Sequence, residues 1–540
     1  MNAMLPRLIT ALAVFAALPA QAPALVRDIQ SGAIGSQPSE FCELRAGITC
    51  FGADDGVNGR ELWITDGSAA GTTLVRDIQP GPQNSTPHWL ERLGNRVYFA
   101  ATDNSGPGTE LFATDGTTAG TVMGKDINAF NRSTPAWLTR VGGRIYFTAT
   151  DDNFDNELWC TDGTAAGTVR VIDLDPAGSS QPADLCELGY SGVFVFTANV
   201  GGDRELWRSD GTAAGTWLVR NIHPTSTSFP GALTRCGDKV VFQATDGTNG
   251  AELWITDGTT AGTVILLDIM PGLFDSSPYS FSASDDGRCV FTCNDWFTFG
   301  QELWVTDGTP AGTMMAVDLE PGMGSLLPSH LTWAGNRDVY LRGTDGVNGS
   351  ELWRVRGLAA AGTTMVTELQ PGIASSDPQA TSHGRETFQD SFGRLYLAAD
   401  DGVTGSELRM IPLGAWSKSV DRPCGVGANR PELAASPPVI GSTCTFTSAH
   451  APAGTWTALL LHLGAPSPVD LGDGCRNHMN GGALVAAGWI ATPGPTWTLA
   501  VPVPAAPALA GLQMAAQTVY SAAFVTIDGW SNGVWLQLGF

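Results

Sequence analysis

The chain has 540 residues, 43% of them hydrophobic, with 17 Trp and 22 Phe, a composition that excludes intrinsic disorder. Its 29 Lys and Arg stand against 53 Asp and Glu, a net charge of −24. Such a polyanion lacks the basic footprint that nucleic acid and anionic lipid require, so neither is an expected partner.

Residues 1–24 read as a signal peptide. Arg7 precedes the apolar run Leu8–Leu18, which is too short to span a bilayer, and small residues follow in PAQAPA. Cleavage is expected after Ala20 or Ala24. The expected destination is secreted or cell-surface, with no membrane insertion of the mature chain. The 10 Cys include no CxxC pair, and an even count in an exported chain permits disulfides. Cys42 and Cys50 flank a predicted hairpin, a spacing that would let them pair.

From Glu61 onward one unit recurs. ELWITDGSAAGTTLVRDIQPG is followed by variants at Glu110, Glu157, Glu205, Glu252 and Glu302, then by eroded copies at Glu351 and Glu407, at intervals of 47 to 56 residues. Each unit holds four short β-prone runs separated by turn residues. In the second these are Trp89–Leu93, Val97–Thr102, Thr109–Thr114 and Thr121–Ile127. Helical periodicity is absent. Four strands per unit of this length is the pattern of propeller blades.

The tight TDGTxAGT segment joins the third and fourth strands. The longer Pro-, Gly- and Ser-rich link from Ile78 to Trp89 marks the crossing from one blade to the next. LVRDI is then an outermost strand, and an unpaired copy stands at Leu25–Ile29. The last unit supplies only three strands, so the N-terminal copy would complete it and close an eight-bladed ring over residues 25–413. Shifting the phase by one strand also gives eight blades, but none is then shared between the two ends.

These ELWxxDGT units resemble the bacterial ELWxxDGT repeat family over about seven tenths of the chain. The resemblance implies an exported, repeat-built protein and transfers no catalytic residue.

The motif residues have a structural reading. Asp-Gly is turn chemistry. The motif Trp (63, 159, 207, 254, 304 and 353, with Phe112 in the second unit) suits a wedge between blades. A Glu repeated in every unit exceeds what a single catalytic site needs, so it too is expected to be structural. A second acidic series precedes ELW and would place Asp55, Asp103, Asp152, Asp246, Asp345 and Asp401 in a ring on one face. That ring reads either as a calcium site, since Ca²⁺ favours several oxygen ligands, or again as turn formation.

Departures from the repeat point to ligand binding. Phe229 and Phe274 lie in crossing loops, and Trp296, Phe297 and Phe299 fill the WFTF loop of the sixth unit. All five fall on the predicted Asp-rich face, and Phe130 and Phe154 do something similar near the third blade. Aromatics beside carboxylates suit an extracellular glycan or protein. The seven His form no HExxH or other metal spacing. GWSNG at 529–533 leaves no room for the helix that a nucleophile elbow requires.

Residues 414–430 read as a linker and 431–540 as a small β-sandwich, similar to the C-terminal tails of secreted bacterial proteins. The expected fold is all-β: an eight-bladed β-propeller followed by that domain. A non-catalytic binding scaffold is the leading expectation. Two alternatives stand beside it: a quinone-dependent or polysaccharide-degrading propeller enzyme, and a purely structural, calcium-stabilised surface protein.

Overall fold

The computed structural model describes residues 22–413, apart from 46, 104–107, 190–191, 285, 296–299, 319–326, 335–337, 346, 360–361, 373 and 379–392. Beyond 413 it describes the backbone of strands alone.

Between 22 and 413 the chain is an eight-bladed β-propeller, without a helix among the described residues. Blade 1 runs Ser39–Arg45, Ile48–Asp54, Arg60–Thr65 and Thr73–Arg76, each strand antiparallel to the next. The same four-stranded order repeats through blade 7, which ends at Thr363–Thr367. Blade 2 illustrates how far pattern alone carries: its strands are His88–Leu93, Arg96–Asp103, Gly108–Thr114 and Val122–Lys125. Only the ends differ from the runs expected.

Ring closure takes the shared-blade form. Ala24–Arg27 pairs antiparallel with Ser406–Pro412, which pairs in turn with Arg394–Asp400. The N-terminal strand is thus the outer strand of blade 8, and the alternative phase is set aside. Each blade remains a separate sheet, so the edges left in the closed ring are its short innermost and outermost strands.

The core lies between blades. Trp63 packs with Tyr396 and Leu408 of blade 8, Trp159 with Tyr98 and Leu111 of blade 2, and Phe112 with Leu62 and Val75 of blade 1. The motif aromatic is therefore the wedge that seats each blade on the one before it. Burying such a side chain contributes on the order of 3 kcal/mol.

Cys42 and Cys50 stand directly opposite each other in the blade 1 hairpin, and the structure holds both as thiols rather than as a disulfide.

In the tail, Trp416–Val420, Gly533–Gln537, Gln513–Ser521, Trp456–Leu463 and Ala483–Ala491 follow one another across an antiparallel sheet, and Glu432–Ala435, Thr443–Ala449 and Trp497–Pro502 form a smaller one. Trp416–Val420 belongs to the stretch read as linker. Its alternating WSKSV suits a strand, and the tail sheet begins there.

Candidate functional site

The two faces of the propeller are built differently. One carries the TDGTxAGT turns. In these the first and last Thr hydroxyls meet, 2.7 Å apart for Thr114 and Thr121 and for Thr256 and Thr263. The Asp carboxylate accepts the N–H and hydroxyl of the residue two ahead, as Asp115 does from Thr117 at 3.0 and 2.7 Å. The second Gly is obligatory: a Cβ on Gly120 would stand 2.0 Å from the Asp115 carboxylate. Hydrogen bonding from Thr117 holds the Asp115 carboxyl below its ordinary pKa.

The other face carries the blade-crossing loops together with the second-to-third-strand loops. The two loop types bond to each other, as in Ala129 N–H to Asp152 at 2.7 Å and Gly250 N–H to the Gly272 carbonyl at 3.0 Å. Beneath them sits the repeated Glu, which acts as a clamp. Glu61 is buried; it accepts the Ile78 N–H at 2.8 Å where the crossing loop begins, and the Ser85 N–H and hydroxyl, at 3.0 and 2.6 Å, where it ends. Glu110, Glu157, Glu205, Glu252 and Glu351 repeat the arrangement with Ser133, Ser180, Ser228, Ser276 and Ser376. Glu407 does so across the ring junction, to Ile29, Gln30 and Ser36. Burial, opposed by these bonds, pushes the Glu61 carboxyl up to about 7.

After the clamp serine the chain turns through a left-handed residue held by a backbone bond to the third strand, such as Thr86 (φ 46°) to the Arg60 carbonyl at 3.2 Å. Strain repeated blade after blade belongs to the architecture rather than to one site. Phe229 occupies this position in the crossing into blade 5, at φ 45°, and is 64% exposed.

Four of the six carboxylates in the acidic ring cap their own turns. Asp55 accepts the Val57 and Asn58 N–H groups at 2.9 and 2.7 Å and the Asn58 amide at 2.8 Å. Asp246 and Asp345 repeat the set with Thr248 and Asn249 and with Val347 and Asn348. Asp401 adds an ion pair to Arg409 at 2.6 Å. Asp152 ties down the crossing loop, and Asp103 ends its strand. Among the described residues, three carboxylates come within metal-sharing distance only at Asp155, Glu157 and Asp173, where Arg170 already lies 3.0 Å from Asp155 and 3.6 Å from Asp173.

Of the five aromatics singled out from sequence, Phe229 and Phe274 are exposed on this face, and Trp296, Phe297 and Phe299 lie outside the described residues. Phe130, at 80% exposure, and Phe154 join them. Sequence reasoning missed the aliphatic part of the same belt. Ile34, Leu273 and Leu327 are exposed in crossing loops, and Val57, Val347 and Val403 at the tips of Asp-Gly turns. The signal was present in those turns, where an apolar residue stands beside the Gly of DGVNG. The remaining exposed large apolar residues lie on outermost strands, and the TDGT turn tips show none among the described residues.

Between blades 8 and 1 this face also holds a polar cavity of about 530 Å³, lined by Gln37, Ser39, Arg60, Asp377 and Asp400 among others. Arg60 donates to the Gln37 carbonyl at 2.7 Å and to Ser39, and Asp377 pairs with Arg342 at 2.7 Å. No helix among the described residues is long and apolar enough to cross a membrane.

No protein-family model matches the chain, and no curated protein matches it. Among solved structures it is similar to a puromycin hydrolase (13% identity, TM-score 0.40, covering 71% of this chain and 60% of that one). It is also similar to a prolyl endopeptidase (13%, 0.41, covering 68% and 55%). A third likeness is to an uncharacterized protein from Listeria monocytogenes EGD-e (10%, 0.39, covering 64% and 97%). The chain thus spans less than two thirds of the first two proteins.

Proposed function

We propose that this chain is a secreted or cell-surface binding scaffold of the ELWxxDGT repeat kind, whose crossing-loop face holds an extracellular glycan or protein. The observation that carries the reading is the segregation of exposed apolar side chains. Phe130, Phe229, Leu273 and Phe274 stand on that face, among carboxylates, in loops anchored from below by the Glu clamps, and Phe154 stands there in a turn closed by its N–H to the Asp151 carbonyl. A rigid rim bearing apolar tips and acceptors binds without first having to order itself. The tail serves as an accessory β-sandwich, and export begins from residues 1–24.

The test is binding of the mature chain to arrays of polysaccharides and purified extracellular proteins, alongside a Phe229→Ser, Phe274→Ser double variant. Saturable binding that the variant loses while melting at the wild-type temperature supports the reading. Binding equal in both proteins moves the ligand off this face, and a bound chromophore in the purified protein would turn the assignment toward a quinone enzyme.

A further inference from the structure

At five blade boundaries a residue at or beside the end of one inner strand shares an apolar cluster with the start of the next blade's second strand. Leu44 shares a cluster with Val97, Leu93 with Ile145, Val141 with Phe194, Leu188 with Val240, and Ala334 with Leu395. At the boundary of blades 5 and 6 both partners change together, to Cys236 and Cys289. Two substitutions at the two halves of one contact are not explained by the repeat.

The geometry is reciprocal. The Cys236 thiol donates to the Gly287 carbonyl at 3.2 Å, and the Cys289 thiol to the Arg235 carbonyl at 3.2 Å. Each sulfur therefore reaches the backbone near the other, and the two sulfurs lie within reach of each other. The two turns run side by side, and a Cβ on Gly287 would stand 3.4 Å from the Gly237 Cα, an ordinary contact distance. Both side chains are buried, at 4% and 0% exposure, so neither is placed to meet a ligand from solvent.

The geometry points to Cys236 and Cys289 as a disulfide site that staples blade 5 to blade 6 when the chain folds in the presence of a disulfide oxidant. The S–S bond forms as the two S–H bonds break. The two electrons and two protons pass to the oxidant, for glutathione disulfide giving two glutathione molecules. The staple closes a loop of about fifty residues in the unfolded chain, which is where most of its effect on stability arises.

The test is refolding of the reduced full chain with and without glutathione disulfide, then alkylation of remaining thiols, digestion and peptide mass mapping. The expected result is a linked peptide joining Cys236 to Cys289, lighter by two hydrogens than its reduced parts, and a melting temperature raised by on the order of 5 °C. Cys289→Ser should leave Cys236 alkylated under both conditions. Both cysteines alkylated in oxidant-refolded wild-type protein, or either one linked elsewhere, would overturn the assignment. The oxidant is supplied in the tube, so the result does not depend on where the chain resides or what it binds.

Discussion

The two faces of the propeller obey the same repeat under different constraints. On the TDGT face the sequence scarcely varies over six blades, because the turn residues fit one another: Thr hydroxyl to Thr hydroxyl, Asp to the Thr N–H, and Gly where a Cβ would strike the carboxylate. On the crossing-loop face the Glu and Ser anchors recur, and the Asp-Gly turns recur in only some of the blades. Glu and Ser fix where each loop leaves and returns, and the residues between are free to vary. The difference separates the positions that build the ring from the positions open to recognition.

The sharpest way to break that comparison is to remove an anchor. In Glu61→Ala the Ile78 N–H and the Ser85 N–H and hydroxyl lose a common acceptor in a site that water does not reach. Leaving several buried donors unmatched should cost roughly 3–5 kcal/mol, read by chemical denaturation. Asp115→Ala on the other face removes an exposed turn cap and should cost about 1 kcal/mol. Equal losses would show that the clamp is no more than another turn.

A smaller and opposite pair of effects follows from pH. Burial raises the clamp carboxyls: Glu61 to about 7, with Glu110, Glu157, Glu205, Glu252 and Glu407 shifted the same way. Asp184 is raised by burial to about 6. A carboxyl that holds its proton more tightly when folded stabilises fully below its unfolded pKa, and that contribution is lost as pH climbs through the folded value. The turn carboxylates Asp115, Asp162 and Asp307 are shifted down by their Thr partners, so their contribution is present above the unfolded value and fades as pH falls below it. The melting temperature should therefore peak near about pH 5 and decline toward both pH 7.5 and pH 3. A steady rise from pH 5 to 7 would mean that the donors, not burial, set the clamp's ionisation.

The architecture was legible because it rests on repetition. The strand count, the crossing loops, the shared eighth blade and the Trp wedge all follow from residues recurring in register, and the lone Leu25–Ile29 already pointed to closure. The Glu was recognised as structural from its count, but its partner was not, because the clamp serine lies 24 residues downstream of Glu61 in a loop of variable wording. The acidic ring read either as calcium ligands or as turn formers because spacing shows carboxylates and not the N–H groups they face; Asp55 caps its own turn. The aliphatic tips Val57, Val347 and Val403 were missed because they recur, whereas the binding reading rests on departures from the repeat.

The smallest effect on stability tests whether the loop face is free to vary. Phe112 and Phe130 stand in the same blade unit, one as the wedge against blade 1 and one at the crossing into blade 3. Phe112 is 2% exposed and Phe130 80%. Truncating Phe112 to Ala removes a ring from a packed inter-blade cluster and should cost about 3–5 kcal/mol. Phe130 has little protein around it to lose, although its N–H remains tied to the Asn128 side chain at 3.1 Å, a bond the backbone keeps in any variant. Phe130→Ala should therefore stay within about 0.5 kcal/mol of wild type. A loss at Phe130 comparable to that at Phe112 would mean that the exposed belt is covered in solution, by a second copy or by the tail. The apolar tips would then belong with the wedges rather than with recognition.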